Sequence, residues 1–358
     1  MKKILALVLA LAMVLSLAAC SSKPAESAAP TDAPAESAEA PAESAEAPAD
    51  NAEPSVINVC LASEPDTIDP ALNSAVDGAT LTAHLFSGLA KWAQDENGNL
   101  EIVADAATEL PEGVTNEDGT VTYTYTLRDG MTWSDGQPVT AGDFAFAWKR
   151  AASPALAADY GYMFEVVDGY ADVWATDDAG NYVNPDAELN VVALDDKTLQ
   201  VTLSNAVAYW NELLAFPAYF PVREDVVANE AWATDPSTYV CNGPYTMAAW
   251  DHNSVISLQK NPNYYNADAI TMDTINFYLS DDVNNMLSNF ENRSWQLIDD
   301  VPTNEIASLK EEYPDEFVVA GQIGTYYVCW NINEEILPAS STLTGADAEK
   351  AKEEIRNA

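Results

Sequence analysis

Two histidines, His84 and His252, and four cysteines, Cys20, Cys60, Cys241 and Cys329, are the side chains of this 358-residue chain best suited to nucleophilic, acid–base or soft-metal chemistry. Their spacing supports none of the three. Neither histidine lies near a Gly-x-Ser-x-Gly turn or a similar nucleophile signature, so an enzyme is not expected. The cysteines stand far apart with no Cys-x-x-Cys pair, which gives neither a disulfide framework nor a zinc-type site. So few soft donors disfavour direct ligation of a soft metal, and no cofactor is expected. Cys60, Cys241 and Cys329 are read as buried free thiols, and His84 as a packing or helix-surface group. Asp and Glu number 57 against 15 Lys and Arg, but abundance alone does not pair two carboxylates for catalysis. The formal net charge of −42 excludes a nucleic-acid binder, because phosphate contacts need clustered cations. It equally argues against a polybasic membrane-surface protein.

Only Cys20 has a chemical context. Met1-Lys2-Lys3 is a short positive start, and the apolar stretch from Ile4 to Leu17 is too short to span a bilayer comfortably but fits a signal-peptide core. Leu17-Ala-Ala-Cys20 then resembles the bacterial lipobox, which implies diacylglyceryl transfer to Cys20 and cleavage before it. Residues 1–20 are thus a lipoprotein signal peptide. Residues 21–55 are mostly Ala, Pro, Glu and Ser, with residues 34–40 repeated unchanged at 41–47. Recurrent prolines and like charges predict a disordered, extended tether rather than a packed repeat. Every Trp, Tyr and Phe lies beyond it, so the folded part begins near residue 56.

In that part, residues 56–61 read as a short apolar strand, followed by the turn-rich Ser63-Glu-Pro-Asp-Thr-Ile-Asp-Pro70. Leu81, Leu85 and Leu89 predict a helix over 78–90. Asn97-Gly98 marks a tight turn. Val121, Tyr123, Tyr125 and Leu127 alternate with three threonines, the pattern of a half-buried strand. Thr140-Ala-Gly-Asp143 caps a helix that buries Phe144 and Trp148. Strands are predicted at 199–203 and 255–258, a loop at Asn242-Gly-Pro244, and a helix capped by Thr303 that carries Ile306 and Leu309. Strands and helices intermix, so the class is mixed α/β.

The run from Tyr123 through Arg128, Trp133-Ser-Asp-Gly-Gln-Pro-Val-Thr140 and Asp143-Phe144 to Arg150 resembles the signature of solute-binding protein family 5. These are extracytoplasmic receptors of ABC importers for peptides, and sometimes for nickel or other solutes. Further blocks arrive in family order: Ile68-Asp69-Pro70, Asn242-Gly-Pro-Tyr245 with Lys260-Asn-Pro-Asn-Tyr264, and Thr325-Tyr-Tyr327 with Asn331. The stretch from Tyr313 to Tyr327 looks most like the oligopeptide-binding branch. The resemblance implies a type II periplasmic-binding-protein-like fold, bilobal with an inserted domain. Mapped by motif, lobe one holds 56–86 and 222–323, the insertion 87–221, and 324–358 the start of the distal lobe. Glu353-Glu-Ile-Arg-Asn-Ala358 resembles the start of a family helix after which most of that lobe follows, so the expectation is a truncated chain that binds peptide weakly or not at all.

The same resemblance implies an acyl-anchored monomer on the outer face of the bacterial cell membrane. It would capture short peptides and deliver them to a membrane permease. Such a receptor pairs with the ligand backbone by strand addition and leaves side chains to wet pockets. By motif position, Ser74, Ala75 and Val76 form a ligand-facing edge, Tyr160 lines the cleft, and Ile298, Asp299 and Asp300 fall among polar ligand contacts. The neighbouring Asn292-Arg-Ser-Trp295 departs from the family pattern. Tyr327 and Cys329 face a side-chain pocket, with Cys329 in place of an acid found in some relatives. A receptor for a nickel chelate held by aromatics and Arg, or a peptide-signal sensor, stays open beside this reading.

Overall fold

The alternating and helical periodicities resolve into two four-stranded sheets and one two-stranded ribbon. The computed structural model describes residues 54–321, 324, 325, 327–329, 337 and 341–356. The expected signal peptide, its Cys20, nearly all of the tether, Tyr326 and Asn331 lie outside the described residues. The strands are β1 (Val56–Leu61), β2 (Ala90–Gln94), β3 (Leu100–Ala104), β4 (Val114–Thr115), β5 (Val121–Thr126), β6 (Val191–Ala193), β7 (Thr198–Leu203), β8 (Tyr245–Asp251), β9 (Val255–Lys260) and β10 (Thr274–Leu279). The helices that matter below are α1 (Val76–Leu85), α2 (Ala141–Ala152), α3 (Val283–Glu291) and α4 (Ile306–Glu312).

One sheet has the order β1-β10-β9-β8, with β1 parallel to β10 from Val56↔Thr274 to Leu61↔Leu279 and the other pairs antiparallel. The other has the order β4-β5-β7-β6 and is antiparallel throughout. β2 and β3 pair only with each other. One continuous core runs through both larger sheets, taking Val59, Ile256 and Phe277 from the first and Tyr125, Leu199 and Val201 from the second. Its aromatic centre satisfies its own polar tips. The buried Trp148 indole donates to the Tyr219 carbonyl at 2.8 Å, and Trp210 donates to the Tyr125 hydroxyl at 2.7 Å.

The family-like motifs turn out to be joints. Thr140 and Asp143 form a reciprocal capping box at the start of α2. The fully buried Trp133 donates its indole N–H to that same Asp143 carboxylate at 3.2 Å, which ties the turn before the helix to the cap. Asn242 and Gly243 explain why α1 ends at Leu85 rather than running to residue 90. The Gly243 N–H donates to the Leu85 carbonyl at 2.8 Å, and the Asn242 carboxamide bonds both the N–H and the C=O of Ser87, at 3.0 and 3.1 Å. A Cβ on Gly243 would sit 2.4 Å from the Leu85 carbonyl carbon, so only glycine admits this approach. Leu89 is still fully buried, but from a non-helical segment. Thr303 makes no side-chain cap. Pro302, at φ −56°, starts a 3-10 turn at Thr303–Glu305 that runs straight into α4.

Candidate ligand-binding site

The segment after β1 is braced from several directions. Asp69 is buried, and its carboxylate meets the Arg150 guanidinium as a two-pronged fork, at 3.0 and 2.6 Å. The same carboxylate accepts the Ala71 N–H at 3.0 Å, while the Asp69 carbonyl accepts the N–H groups of Leu72 and Asn73. The buried Tyr239 hydroxyl donates to the Ile68 carbonyl at 2.8 Å. The Asn73 carboxamide then bonds both backbone groups of Ala75, at 3.0 and 3.4 Å. This leaves Ser74 and Ala75 exposed and Val76 84 % exposed at the start of α1.

Strand addition needs free backbone groups on one side of an extended stretch. Ala75 is extended at φ −118°, ψ 155°, and its own groups are spent on Asn73 and on the Ala79 N–H. Among the described residues, the backbone of Ser74 and the N–H of Val76 are unpaired. Ser74 thus keeps a free N–H and C=O beside the extended Ala75, while the free Val76 N–H is the first of the unpaired donors that any helix start leaves.

A second locus is a groove of about 690 Å³ between α3, residues 293–301, α4 and residues 313–320. The chain reaches it along the outer side of β1. Leu297 bridges Val59 in parallel, with the Gln296 N–H donating to the Asn58 carbonyl at 2.7 Å and the Cys60 N–H to the Leu297 carbonyl at 2.9 Å. Ile298, Asp299 and Asp300 follow directly and line the groove together with Phe290, Trp295 and Tyr313. Burial, with a smaller contribution from the Asp299 charge, pushes the Cys60 thiol up to about 11. Two cations also border the groove: Arg293 sits over the Phe290 ring at 5.5 Å and 3.5 Å from Glu316, and Lys310 lies 5.6 Å from the Phe317 ring centre. Sequence reasoning did not single out Lys310, and met Arg293 only as a departure from the family pattern. That departure was the available signal.

The remaining candidates stand elsewhere. Tyr160 is half-buried ahead of the turn at Gly161–Val166, its ring edge-on to Phe216 at 4.9 Å. Tyr327 is 71 % exposed and Cys329 is exposed. The structure thus brings Asp299 and Asp300 into one groove, whereas residues 74–76, Tyr160, Tyr327 and Cys329 are not among its lining. Cys60 and Cys241 are buried free thiols as expected; the exposure of Cys329 corrects the expectation for the third. His84 packs edge-on to Phe277 at 5.4 Å, and burial outweighs its bond to the Thr80 carbonyl to hold its pKa below the usual range. Among the described residues, no three His, Cys, Asp or Glu side chains are grouped to hold a metal ion, and no helix is long and apolar enough to cross a membrane.

Residues 101–342 match the profile of the bacterial extracellular solute-binding proteins, family 5, and the chain belongs to that family. Its fold is the mixed α/β, bilobal, type II periplasmic-binding-protein-like class, matched over part of the chain. Within the family it is closely related to the oligopeptide- and dipeptide-binding branch. It is 32 % identical to the oligopeptide-binding protein OppA of Bacillus subtilis, covering 72 % of this chain and 46 % of that protein. It is 30 % identical to the probable deoxycholate-binding periplasmic protein YgiS of Escherichia coli, over 76 % of this chain and 49 % of that one. The crystal structure of Haemophilus influenzae OppA in complex with RPPGFSPFR aligns with a TM-score of 0.63 at 28 % identity, covering 73 % of this chain and 49 % of that one. The chain spans about half the length of the curated relatives it matches.

Proposed function

We propose that this chain is the receptor part of a peptide importer: it captures short peptides outside the cell and delivers them to an ABC permease. The observation that carries the reading is the family match over residues 101–342, together with a relative named for oligopeptide binding. The free backbone groups of Ser74 and the free N–H of Val76 support backbone pairing with a peptide. Asp299 and Asp300 would contact the ligand from the groove; outside it, Tyr160 would line the cleft, and Tyr327 and Cys329 would face a side-chain pocket. Residues 56–86 and 222–323 would make lobe one, with 87–221 inserted and 324–358 opening the distal lobe. The strand pairing supports this division, since β1 joins β8, β9 and β10 across the gap while β4 to β7 pair among themselves. Acylation at Cys20 would hold a monomer to the outer face of the membrane, with residues 21–55 as its tether.

Mass spectrometry of ligand released from the purified protein tests the reading. A mixture of short peptides is expected. A single nickel chelate overturns it, and so does a bile-acid-like amphiphile, the second reading favoured by the likeness to YgiS. Replacing Cys20 by Ser should release the protein from membranes into the medium, and continued membrane retention would refute the anchor.

A further inference from the structure

The Arg150–Asp69 fork joins two segments that the proposed domain division keeps apart. Arg150 is in the last turn of α2, within residues 87–221, and Asp69 lies just after β1. Both side chains are largely withdrawn from water, at 14 % and 3 % exposure. The Asp69 N–H bonds back to the Thr67 hydroxyl at 3.1 Å, but the carboxylate, the carbonyl and Asn73 all bond forward towards the exposed edge. The carboxylate fixes Ala71, the carbonyl fixes Leu72 and Asn73, and Asn73 fixes Ala75. The path from guanidinium to edge is therefore an unbroken series of hydrogen bonds. It is closed on the far side by Gly78, where a Cβ would sit 2.0 Å from the Asn73 side-chain oxygen. No other ion pair holds Asp69 among the described residues.

We propose that Arg150 is a positioning residue for ligand capture: through Asp69 and Asn73 it holds Ser74 with its backbone groups free, next to the free Val76 N–H that opens α1. The inference rests on reading that edge as ligand-facing. The physical reason for an arginine is its planar fork, which fixes the orientation of the carboxylate as well as its place; a lysine would supply charge without orientation. A pre-ordered edge spares the ligand the entropy of ordering it on binding, so loosening the fork should cost affinity before it costs the fold.

The test compares wild-type full chain with Arg150→Lys, Arg150→Met and the neutral pair Asp69→Asn with Arg150→Gln. Amide hydrogen exchange is followed at residues 71–79 and in β9, and binding of the peptide RPPGFSPFR is titrated by calorimetry. Arg150→Lys should speed exchange at 71–79 by about tenfold, leave β9 unchanged and weaken the peptide by a similar factor; the neutral pair should restore part of both. Should Arg150→Met fail to fold, Arg150→Lys carries the same comparison. Equal acceleration at 71–79 and in β9 makes Arg150 a general stabiliser and overturns the proposal, as does unchanged exchange at 71–79. Faster local exchange with unchanged peptide affinity overturns it too. Where the wild-type chain takes up no peptide, the exchange arm alone decides whether Arg150 orders the edge.

Discussion

The joint around Asn242 and the groove between α3 and α4 differ in how completely their polar groups are committed. At the joint, Asn242 and Asn261 are buried, and their carboxamides bond Ser87 and the Gly243 carbonyl. The Ser134 N–H donates to the Cys241 carbonyl at 2.7 Å, and the Ser134 hydroxyl accepts the Cys241 N–H at 3.2 Å. Asn263 completes the knot by donating to the Ser134 carbonyl. In the groove, Asp300 makes only a local bond to the Val301 N–H, and Leu297 is 58 % exposed. Apart from the buried Ser87 hydroxyl, which has no partner among the described residues, the joint has spent its hydrogen bonds on the fold; the groove keeps exposed groups uncommitted. That difference is what a receptor needs, because a binding surface must exchange water for ligand while its frame stays rigid.

The largest effect should come from breaking the joint. Asn242→Ala strands the N–H and C=O of Ser87 in the core, and two unsatisfied buried backbone groups cost roughly 2–5 kcal/mol. Thermal or urea unfolding should show that loss with no isosteric rescue by Asp, which cannot donate to the Ser87 carbonyl. A cost below about 0.5 kcal/mol, the usual range for a surface substitution, would mean the joint is no more committed than the groove.

The thiols give a second, smaller contrast between buried and open regions. Burial pushes Cys241 up to about 12 and, aided by Asp299, Cys60 to about 11, so both remain protonated thiols at neutral pH. The thiolate is the reacting species, and Cys329 is exposed. Alkylation with iodoacetamide at pH 8, followed by peptide mapping, should label Cys329 at least tenfold faster than Cys60 or Cys241. Comparable rates at all three would show that β1 and the joint open readily.

These contrasts also say what the sequence could reveal. The alternation of Val121, Tyr123, Tyr125 and Leu127, and the cap at Thr140, are local patterns, and each forms the expected element because its cause lies within a few residues. The end of α1 was not legible from the leucine spacing, since the groups that stop it, Asn242 and Gly243, arrive some 155 residues later. The recognisable motifs announce the family because they are joints, where few residue types satisfy the geometry. Backbone geometry leaves little trace in residue type: the backbone of Ser74 is left free by what Asn73 does to Ala75, and nothing in the serine itself requires it. The groove was legible only at Ile298, Asp299 and Asp300, because the other residues that complete it come largely from separate elements.

The smallest expected effect lies at the other end of the braced segment, where Glu64 holds the β8–β9 turn. Its carboxylate accepts from the Trp250 indole at 3.0 Å and bonds the His252 ring and the Asn253 N–H. Partial burial raises its pKa, but the bonds from His252, Asn253 and Trp250 outweigh this and hold the carboxyl below the usual glutamate range. A depressed folded-state pKa means the ionised form is favoured by folding, so the stabilisation is present above the ordinary glutamate pKa of about 4.3 and is lost as pH falls through the lower folded value. Glu64→Gln should therefore be less stable than wild type in urea at pH 7, with the gap closing as the pH is lowered through the acid range. A gap that stays constant down to pH 2 would assign the effect to packing. The residue would then belong with the committed joint, not with a charge-held strap on the segment after β1.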